Sequence, residues 1–258
     1  MREPLLEVRD ARKRFGGVVA VSGVSFRVLA GEIRAIIGPN GAGKTTLFNL
    51  VSGLLPLDGG EIRFRGRPLD GLPPPARARL GLGRTFQNLQ IFGTMSVLEN
   101  VMVGRHARSR SGFVDAAFAT PRARREERAI REAAHAALAF VGLDRRPDDP
   151  AASLAFGQQR LLEIARALAM EPQLLLLDEP AAGLNPTEVA RLATLIRAIR
   201  DRGTTVLLVE HHMDLVMGVS EAVVVLNYGE VLAEGPPGAI RSDPGVITAY
   251  LGVEDGVA

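Results

Sequence analysis

The 258-residue sequence contains no cysteine, and only two of its 31 basic residues are lysine. Without cysteine there can be no disulfide, thiolate zinc site, iron–sulfur cluster or cysteine nucleophile. Apolar runs such as Leu174–Leu177 fall far short of the roughly 18 residues that a membrane span needs. The first residues are charged where a secretion signal would be apolar. We expect a protein that does not cross a membrane but can dock on one.

The balance of charge excludes a further class of function. The 31 basic and 29 acidic residues leave a formal net charge of +2, which is too small for a general polyanion-binding surface. Apolar residues make up 47% and charged residues 23%, as in ordinary soluble domains, so disorder is excluded as the main state. The length predicts one large domain with an insertion, or two small domains.

Short apolar runs alternate with helical patterns along most of the chain. The runs predicted as strands are Leu5–Val8, Val24–Val28, Glu32–Ile37, Glu61–Phe64, Leu174–Leu177, Thr204–Val209 and Ala222–Leu226. The N-terminal runs lack helices between them and predict antiparallel pairing, whereas the C-terminal runs alternate with helices and predict a largely parallel sheet. Asn185, Pro186 and Glu188 are typical of a helix start.

The middle of the chain has a different pattern. From about Ser96 to Ala169 there is no good strand, and Arg122–Val141 predicts a charged, alanine-rich helix. Its charges suit a solvated helix face, with a nucleic-acid patch as the alternative. We therefore predict one domain over 1–258, in which an α/β core of 1–88 and 165–258 is interrupted by a helical subdomain over 89–164.

The most informative stretch is Gly38–Thr45, which fits G-x-x-x-x-G-K-[ST] between a predicted strand and a predicted helix. Backbone N–H groups of such a loop hold phosphates, with help from the helix N-terminus. The lysine is a point charge for the β- and γ-phosphates, and the threonine hydroxyl binds Mg²⁺. The alternative is an ordinary glycine-rich turn. The predicted phosphate-binding residues are Asn40, Gly41, Ala42, Gly43, Lys44, Thr45 and Thr46.

A second part of the site follows Leu174–Leu177, where the chain continues as Asp178-Glu179. A buried strand ending in carboxylates is where a P-loop protein places its magnesium aspartate, so Asp178 is predicted to bind Mg²⁺, mostly through water. Glu179 is predicted to orient or deprotonate the attacking water. The alternative is a pair of carboxylates that simply cap a strand. Gln87 and His211 also sit where strand patterns end, although alone they suit ordinary surface or structural roles, and His212 is then an equal candidate.

Together with these residues, the segment Leu154, Ala155, Phe156, Gly157 and Gln158 resembles the signature of ABC transporter ATPase subunits. The resemblance implies a P-loop (RecA-like) core with an antiparallel N-terminal β portion and an inserted helical subdomain, binding ATP and Mg²⁺. It implies a head-to-tail dimer in which the signature segment contacts the ATP held by the partner. It further implies that Gln87 touches Mg²⁺ and senses the membrane partner, that His211 contacts the γ-phosphate, and that Phe15 stacks on adenine. For Phe15 a core position is the alternative.

Finer features resemble the long-tailed ATPase of branched-chain amino-acid importers. The segments that carry this likeness are Arg84–Gln87 with Phe92, Leu154–Arg166, Ala181–Pro186, Val209–Met217 and Asp243–Gly252. The resemblance implies two transmembrane permease subunits, a second ATPase that is the same or a different chain, and an external solute-binding protein. It implies peripheral attachment at the cytoplasmic face of the inner membrane, and no nucleic acid. Alternative cargoes are urea, another amide or a lipid, and a soluble ABC ATPase acting on nucleic acid or ribosomes is the alternative from another class.

The sequence departs from the family's general pattern in two places. Ala155 and Phe156 stand where the general signature has serine and glycine, so the serine hydroxyl that would donate to the γ-phosphate is missing. Asn185 stands where many members carry an aspartate that interacts across the dimer. We expect both to affect how well the chain hydrolyses ATP as a homodimer.

Overall fold

The computed structural model describes residues 3–86, 89–106 and 121–251. The strands are β1 Pro4–Phe15, β2 Val18–Leu29, β3 Ile33–Ile37, β4 Gly59–Phe64, β5 Arg67–Pro68, β6 Leu82–Arg84, β7 Leu174–Asp178, β8 Thr205–Val209, β9 Ala222–Asn227 and β10 Glu230–Gly235. The helices are α1 Lys44–Ser52, α2 Pro74–Leu80, α3 Val97–His106, α4 Pro121–Val141, α5 Phe156–Leu168, α6 Pro186–Asp201, α7 Met213–Val219, α8 Pro237–Arg241 and α9 Pro244–Leu251. Ala151–Ser153 forms a 3₁₀ turn.

The strands form two sheets of different character. A six-stranded sheet has the order β10-β9-β3-β8-β7-β6, in which only β10 pairs antiparallel. A four-stranded antiparallel sheet has the order β2-β1-β4-β5. The predicted division into an antiparallel N-terminal part and a largely parallel sheet is therefore confirmed. Strands β3, β7 and β8 are buried along their whole length, which explains their uninterrupted apolar sequences.

The parallel sheet forms the middle layer of the core. Ile33, Ala35 and Ile37 pack on one face with the helices of the insertion and with α6 and α7. Ile36 points to the other face and packs with α1 and the antiparallel sheet. Because successive strand residues point to opposite faces, a five-residue apolar strand supplies both halves of the core.

The helix start predicted at Asn185 is confirmed. The Asn185 Oδ1 accepts from the Glu188 backbone N–H at 3.0 Å, and the Glu188 carboxylate accepts from the Asn185 N–H at 2.9 Å. Such a cap stabilises a helix by about 1 kcal/mol. It also fixes the turn that leads from β7 into α6.

The helical middle of the chain is also confirmed, since between Ser96 and Ala169 the described residues contain no strand. Helices α3, α4 and α5 pack on one another through buried residues such as Val101, Leu138 and Leu162. Helix α5 runs unbroken through the division predicted at 164/165, and the limits of the two parts stay a prediction. Within the described part of the chain, none of the helices combines the length and apolar character that crossing a membrane requires.

Candidate functional site

The candidate site lies at the carboxyl edge of the parallel sheet. The loop after β3 leads into Lys44, the first residue of α1; β7 ends at Asp178, and His211 follows β8. Because β3, β8 and β7 are neighbours in one parallel sheet, these residues come together although they are far apart in the sequence. Ligands of open α/β sheets bind at this edge.

The phosphate loop, residues 38–45, is held by close approaches of backbone to backbone. Gly38 and Gly43 have φ of +150° and +99°, which favour glycine. A Cβ on Gly38 would lie 2.1 Å from the Leu226 carbonyl oxygen, and one on Gly43 would lie 2.4 Å from the Ala20 carbonyl oxygen. The backbone conformation of the loop is therefore tightly constrained where it passes between β9 and β2, and the loop leads directly into α1.

Lys44 is buried across this loop. Its Nζ donates to the carbonyl oxygens of Gly38 at 2.7 Å and Pro39 at 2.9 Å, so two of its three donors orient it. Burial lowers the pKa of Lys44, and the nearby Glu179 carboxylate opposes that shift. The ammonium is thus fixed in position beside the open N-terminus of α1, where Gly43 provides no side-chain cap.

The remaining predicted phosphate-binding residues line the same turn. Asn40, Gly41 and Thr45 are exposed, Thr46 is partly buried, and Ala42 is buried against the core. Backbone N–H groups at the first turn of a helix lack partners within the helix and favour anions. The loop is therefore shaped to receive a phosphate chain.

Asp178 carries the polar atom that best fits a magnesium ion. Its Oδ1 is buried and has no hydrogen-bond partner in the described ranges, while its Oδ2 accepts from Arg84. Burial raises the pKa of Asp178, and the Arg84 guanidinium opposes that shift. Among the described residues no cluster of three or more His, Asp or Glu could hold a metal. One carboxylate completed by a hydroxyl, phosphates and water is the donor set that Mg²⁺ prefers.

Arg84 makes hydrogen bonds to the site that the sequence did not predict. Its Nη2 donates to Asp178 Oδ2 at 2.9 Å, and its Nη1 donates to Asn49 Oδ1 at 2.8 Å and to Ser52 Oγ. Asn49 and Ser52 lie on α1, so one guanidinium ties the helix after the phosphate loop to the end of β7. The sequence placed Arg84 in the segment Arg84–Gln87 that carries the family likeness, but gave no indication of its partners.

Glu179 adopts a left-handed backbone conformation, with φ of +46°. This is uncommon for a residue with a side chain, and such strain concentrates at functional sites. Its backbone N–H donates to the Val209 carbonyl oxygen at 2.9 Å, which attaches it to β8. The Glu179 Oε2 lies 3.8 Å from His211 Nδ1. The structure thus brings His211 next to Glu179, while His212 lies at the start of α7.

Of the two remaining predicted residues, Phe15 and Gln87, the structure describes only Phe15. Phe15 ends β1 with 46% of its surface exposed, which does not suit a core aromatic. The Lys13 ammonium lies 5.8 Å from its ring centre. Gln87 lies outside the described residues, and its predicted roles stay predictions.

The signature segment lies at the start of α5, within the helical insertion. Leu154 is buried, Ala155 is the capping residue, and Gln158 accepts from the Ala155 backbone N–H at 3.2 Å. Phe156 is 46% exposed, and its ring packs against Gly183 in the loop before α6. The segment therefore presents main-chain N–H groups and an aromatic ring, and Ala155 contributes no side-chain oxygen.

Comparison with known proteins places this architecture in context. The family model "ABC transporter" matches residues 21–182, and the model "Branched-chain amino acid ATP-binding cassette transporter" matches residues 230–256. The chain is 46% identical over 253 residues to the high-affinity branched-chain amino acid transport ATP-binding protein LivG of Salmonella typhimurium, covering 98% of this chain and 99% of LivG. It is 47% identical over 253 residues to the corresponding protein BraF of Pseudomonas aeruginosa, with the same coverage.

Solved structures agree with this match. A nucleotide-free ATP-binding cassette from an ABC transporter superposes with a TM-score of 0.84 at 32% identity, covering 96% of this chain and 99% of that one. The ADP conformation of an ATP-binding cassette gives a TM-score of 0.85 at 32% identity, covering 97% and 99%. The predicted fold class, a P-loop core with an antiparallel portion and a helical insertion, is confirmed.

Proposed function

The chain belongs to the ABC transporter family, and from this premise we propose that it is the ATP-hydrolysing subunit of an importer for branched-chain amino acids. The observation that carries the proposal is the convergence of Lys44, Asp178, Glu179 and His211 at one edge of the parallel sheet. That edge combines a fixed cation, a free carboxylate oxygen and a second carboxylate beside an imidazole. These are the groups that phosphoryl transfer to water requires.

The phosphate chain of ATP binds on the main-chain N–H groups of residues 40–46. Lys44 neutralises charge on the β- and γ-phosphates from the position that its contacts with Gly38 and Pro39 give it. Phe15 receives the adenine ring, which suits its exposed face and its place at the end of β1. The loop's single backbone path means that little entropy is lost when the phosphates bind.

Mg²⁺, when bound, neutralises charge on the phosphate oxygens. Thr45 and Asp178 would hold it, with Gln87 as a further ligand. Arg84 fixes the Asp178 carboxylate through Oδ2, while Oδ1 accepts no hydrogen bond among the described residues. Glu179 orients the attacking water and takes its proton. His211, 3.8 Å from Glu179, contacts the γ-phosphate from the neighbouring strand.

Each ATP is enclosed by a second ATPase subunit in a head-to-tail dimer. The signature segment, residues 154–158, offers the partner's γ-phosphate the N–H groups at the start of α5 and the positive end of that helix. Asn185 serves as the cap of α6, so its side chain is already engaged within its own subunit. ATP binding closes the dimer and hydrolysis reopens it, which is a shift between two populations of dimer states.

The permease subunits contact an open, largely apolar groove on the same chain. The groove has a volume of about 760 Å³ and lies between α2, α3 and α5, where Phe86 and Phe92 are 39% and 46% exposed. Exposed apolar surfaces of this kind mark interaction sites. The groove lies between the core and the proposed helical subdomain of 89–164. Attachment there holds the chain at the cytoplasmic face of the membrane, with the solute-binding protein on the other side.

The cargo is inferred from the relatives and from the tail. LivG and BraF are branched-chain amino acid transport proteins by name, and the family-specific match over 230–256 includes the whole of α8 and α9. A putative ribose/galactose import protein is 37% identical over 235 residues, so the ATPase core alone does not determine the cargo. Co-purification of the intact complex, followed by ligand screening of its binding protein, tests leucine, isoleucine and valine against urea, amides and lipids.

The hydrolytic role is tested by Glu179→Gln. The amide can hold a water but cannot accept its proton, so we expect ATP binding to persist, turnover to fall to background and an ATP-trapped dimer to accumulate in size-exclusion chromatography. Glu127→Gln, at an exposed position on α4, is the matched control and should leave turnover unchanged. Near-normal hydrolysis by Glu179→Gln would assign the base to another group.

A further inference from the structure

Glu210 is a buried carboxylate that the proposed mechanism does not use. It follows β8, immediately before His211, and its relative exposure is 0%. A buried carboxylate is costly unless hydrogen bonds compensate the loss of hydration. Among the described residues its hydrogen-bond partners are all main-chain N–H groups.

The two oxygens of Glu210 bind two different segments of the site. Oε1 accepts from the Ala181 N–H at 2.7 Å, while Oε2 accepts from the N–H groups of His211 at 3.0 Å and His212 at 3.1 Å. Ala181 lies two residues after Glu179, in a tight turn closed by the bond from the Ala182 N–H to the Glu179 carbonyl oxygen at 3.1 Å. One side chain therefore connects the turn that carries Glu179 with the turn that carries His211.

Only a carboxylate of this length can make both connections. Each of its oxygens is an acceptor, whereas glutamine would turn an NH₂ group towards backbone donors on one side. Aspartate is one methylene shorter and could not reach both turns. Resting on the proposed function, we propose that Glu210 is a positioning residue that sets His211 against Glu179 for hydrolysis and touches neither ATP nor water.

The first test measures the geometry directly by amide hydrogen exchange on the full-length chain. Glu210→Gln should speed exchange at Ala181 or at His211 and His212, because one set of N–H groups loses its acceptor. The matched control is Glu32→Gln, which changes another buried carboxylate. Glu32 precedes β3, at the edge of the parallel sheet away from the site, and its carboxylate accepts from the Leu29 N–H and from Arg34. Unchanged exchange in Glu210→Gln, or equal changes at these turns in Glu32→Gln, would overturn the inference.

The second test separates positioning from a general loss of structure. Misplacement of reacting groups by about 1 Å costs up to about a hundredfold in rate, so the kcat of Glu210→Gln should fall roughly ten- to hundredfold. The KM and the affinity for ATP should stay within about twofold, since phosphate binding is unaffected. Glu210→Asp should show the same split and serves if Glu210→Gln does not fold. A raised KM with an unchanged kcat, or full turnover in either variant, would overturn the inference.

A double-variant cycle then asks whether Glu210 acts through His211. If it does, adding Glu210→Gln to His211→Ala should slow hydrolysis by much less than Glu210→Gln slows the wild type. The positioned imidazole is already missing, and only the contact with the Glu179 turn remains to be lost. Effects that multiply would overturn the inference. Hydrolysis that Glu179→Gln abolishes, together with normal turnover in Glu210→Gln, would reject the role of Glu210 and leave the proposed function intact.

Discussion

The phosphate loop and the signature segment each lie at a helix N-terminus that we propose to bind a phosphate, but they are built differently. At the phosphate loop, two glycines meet backbone oxygens so closely that no other residue fits, and a buried lysine crosses the loop. At the signature segment, the helix starts at Phe156 after an alanine cap, without a cation of its own at the capping position. The first is a preformed binding site, whereas the second offers only main-chain dipoles.

The difference predicts different tasks for the two segments. A rigid loop with its own cation can bind ATP before any partner arrives, because its geometry and charge are already in place. A helix N-terminus with backbone donors adds less binding energy, of the order of 0.3–1 kcal/mol when exposed. We therefore expect changes in the phosphate loop to abolish binding or folding, and changes in the signature segment to alter dimer closure.

The largest effect should come from Lys44→Ala. The only other lysine, Lys13, is paired with Asp58 at 2.7 Å, so no second ammonium replaces Lys44. Wild-type protein at 100 times the dissociation constant for Mg-ATP should gain about 2.7 kcal/mol, seen as a thermal shift. Lys44→Ala should show no shift, and Lys13→Arg is the control. An undiminished thermal shift in Lys44→Ala would show that the phosphate loop does not bind the nucleotide as proposed.

Paired glycine substitutions test the rigidity of the two segments. In Gly38→Ala the new Cβ would meet a main-chain oxygen at 2.1 Å, at a φ that disfavours alanine, and overpacking of this kind costs about 1–3 kcal/mol or more. In Gly157→Ala the Cβ would lie 2.3 Å from Glu188 Oε1, so the carboxylate that accepts from the Asn185 N–H would have to turn aside. The cost of that side-chain shift is offset by the roughly 0.5–1 kcal/mol that alanine gains over glycine in a helix. Urea denaturation should therefore show a large loss for the first and little change for the second. The reverse order would contradict the comparison.

Phe15→Ala tests the proposed stacking of the Phe15 ring on adenine, which is the uncharged part of the site. Stacking on a base is worth about 1–3 kcal/mol, so the affinity for ATP should fall while the dependence on Lys44 remains. Phe15→Tyr keeps an aromatic face and should restore the affinity. Titration with a fluorescent ATP analogue measures both variants. Equal affinity in Phe15→Ala and wild type would mean that adenine lies elsewhere.

Ala155→Ser at the signature segment should have the smallest effect on ATP binding by this chain itself, because the segment is proposed to contact the ATP held by the partner. A serine cap stabilises a helix by about 1 kcal/mol, and a hydroxyl donor to a charged phosphate adds about 1.5–3 kcal/mol where it is made. ATP-dependent dimerisation or basal ATPase activity should therefore rise. Ala152→Ser, at an exposed position three residues earlier, is the control. No change in either quantity would show that the missing hydroxyl does not limit closure.

Local patterns predicted much of this architecture. The glycine spacing, the lysine in an arginine-rich chain, the apolar run into Asp178 and the cap at Asn185 each depend on neighbours within a few residues. Strand β10 was missed because its residues alternate between exposed and partly buried and so lack an apolar run. The sequence indicates a strand pattern that ends near Gln87, but it predicts no range for β6, because this strand has only three residues.

Contacts between distant segments could not be predicted in the same way. Arg84 meets Asp178 across 94 positions of sequence, and Glu210 meets Ala181 across 29. Neither residue has a local pattern that indicates its partner, and each looks like an ordinary surface charge until the parallel strands bring the segments together. In the sequence, Arg84 lies near Gln87 and Glu210 lies next to His211, but this nearness does not predict which distant residues they contact.

The central claim is that one edge of the parallel sheet binds Mg-ATP for hydrolysis. A crystal structure of the full-length Glu179→Gln variant with Mg-ATP tests it most directly. The account predicts phosphates on the N–H groups of residues 40–46, Lys44 on the β- and γ-phosphates, and the metal between Thr45 and Asp178 Oδ1, directly or through water. A nucleotide bound away from the phosphate loop, or a metal without Asp178 among its direct or water-mediated contacts, would contradict it.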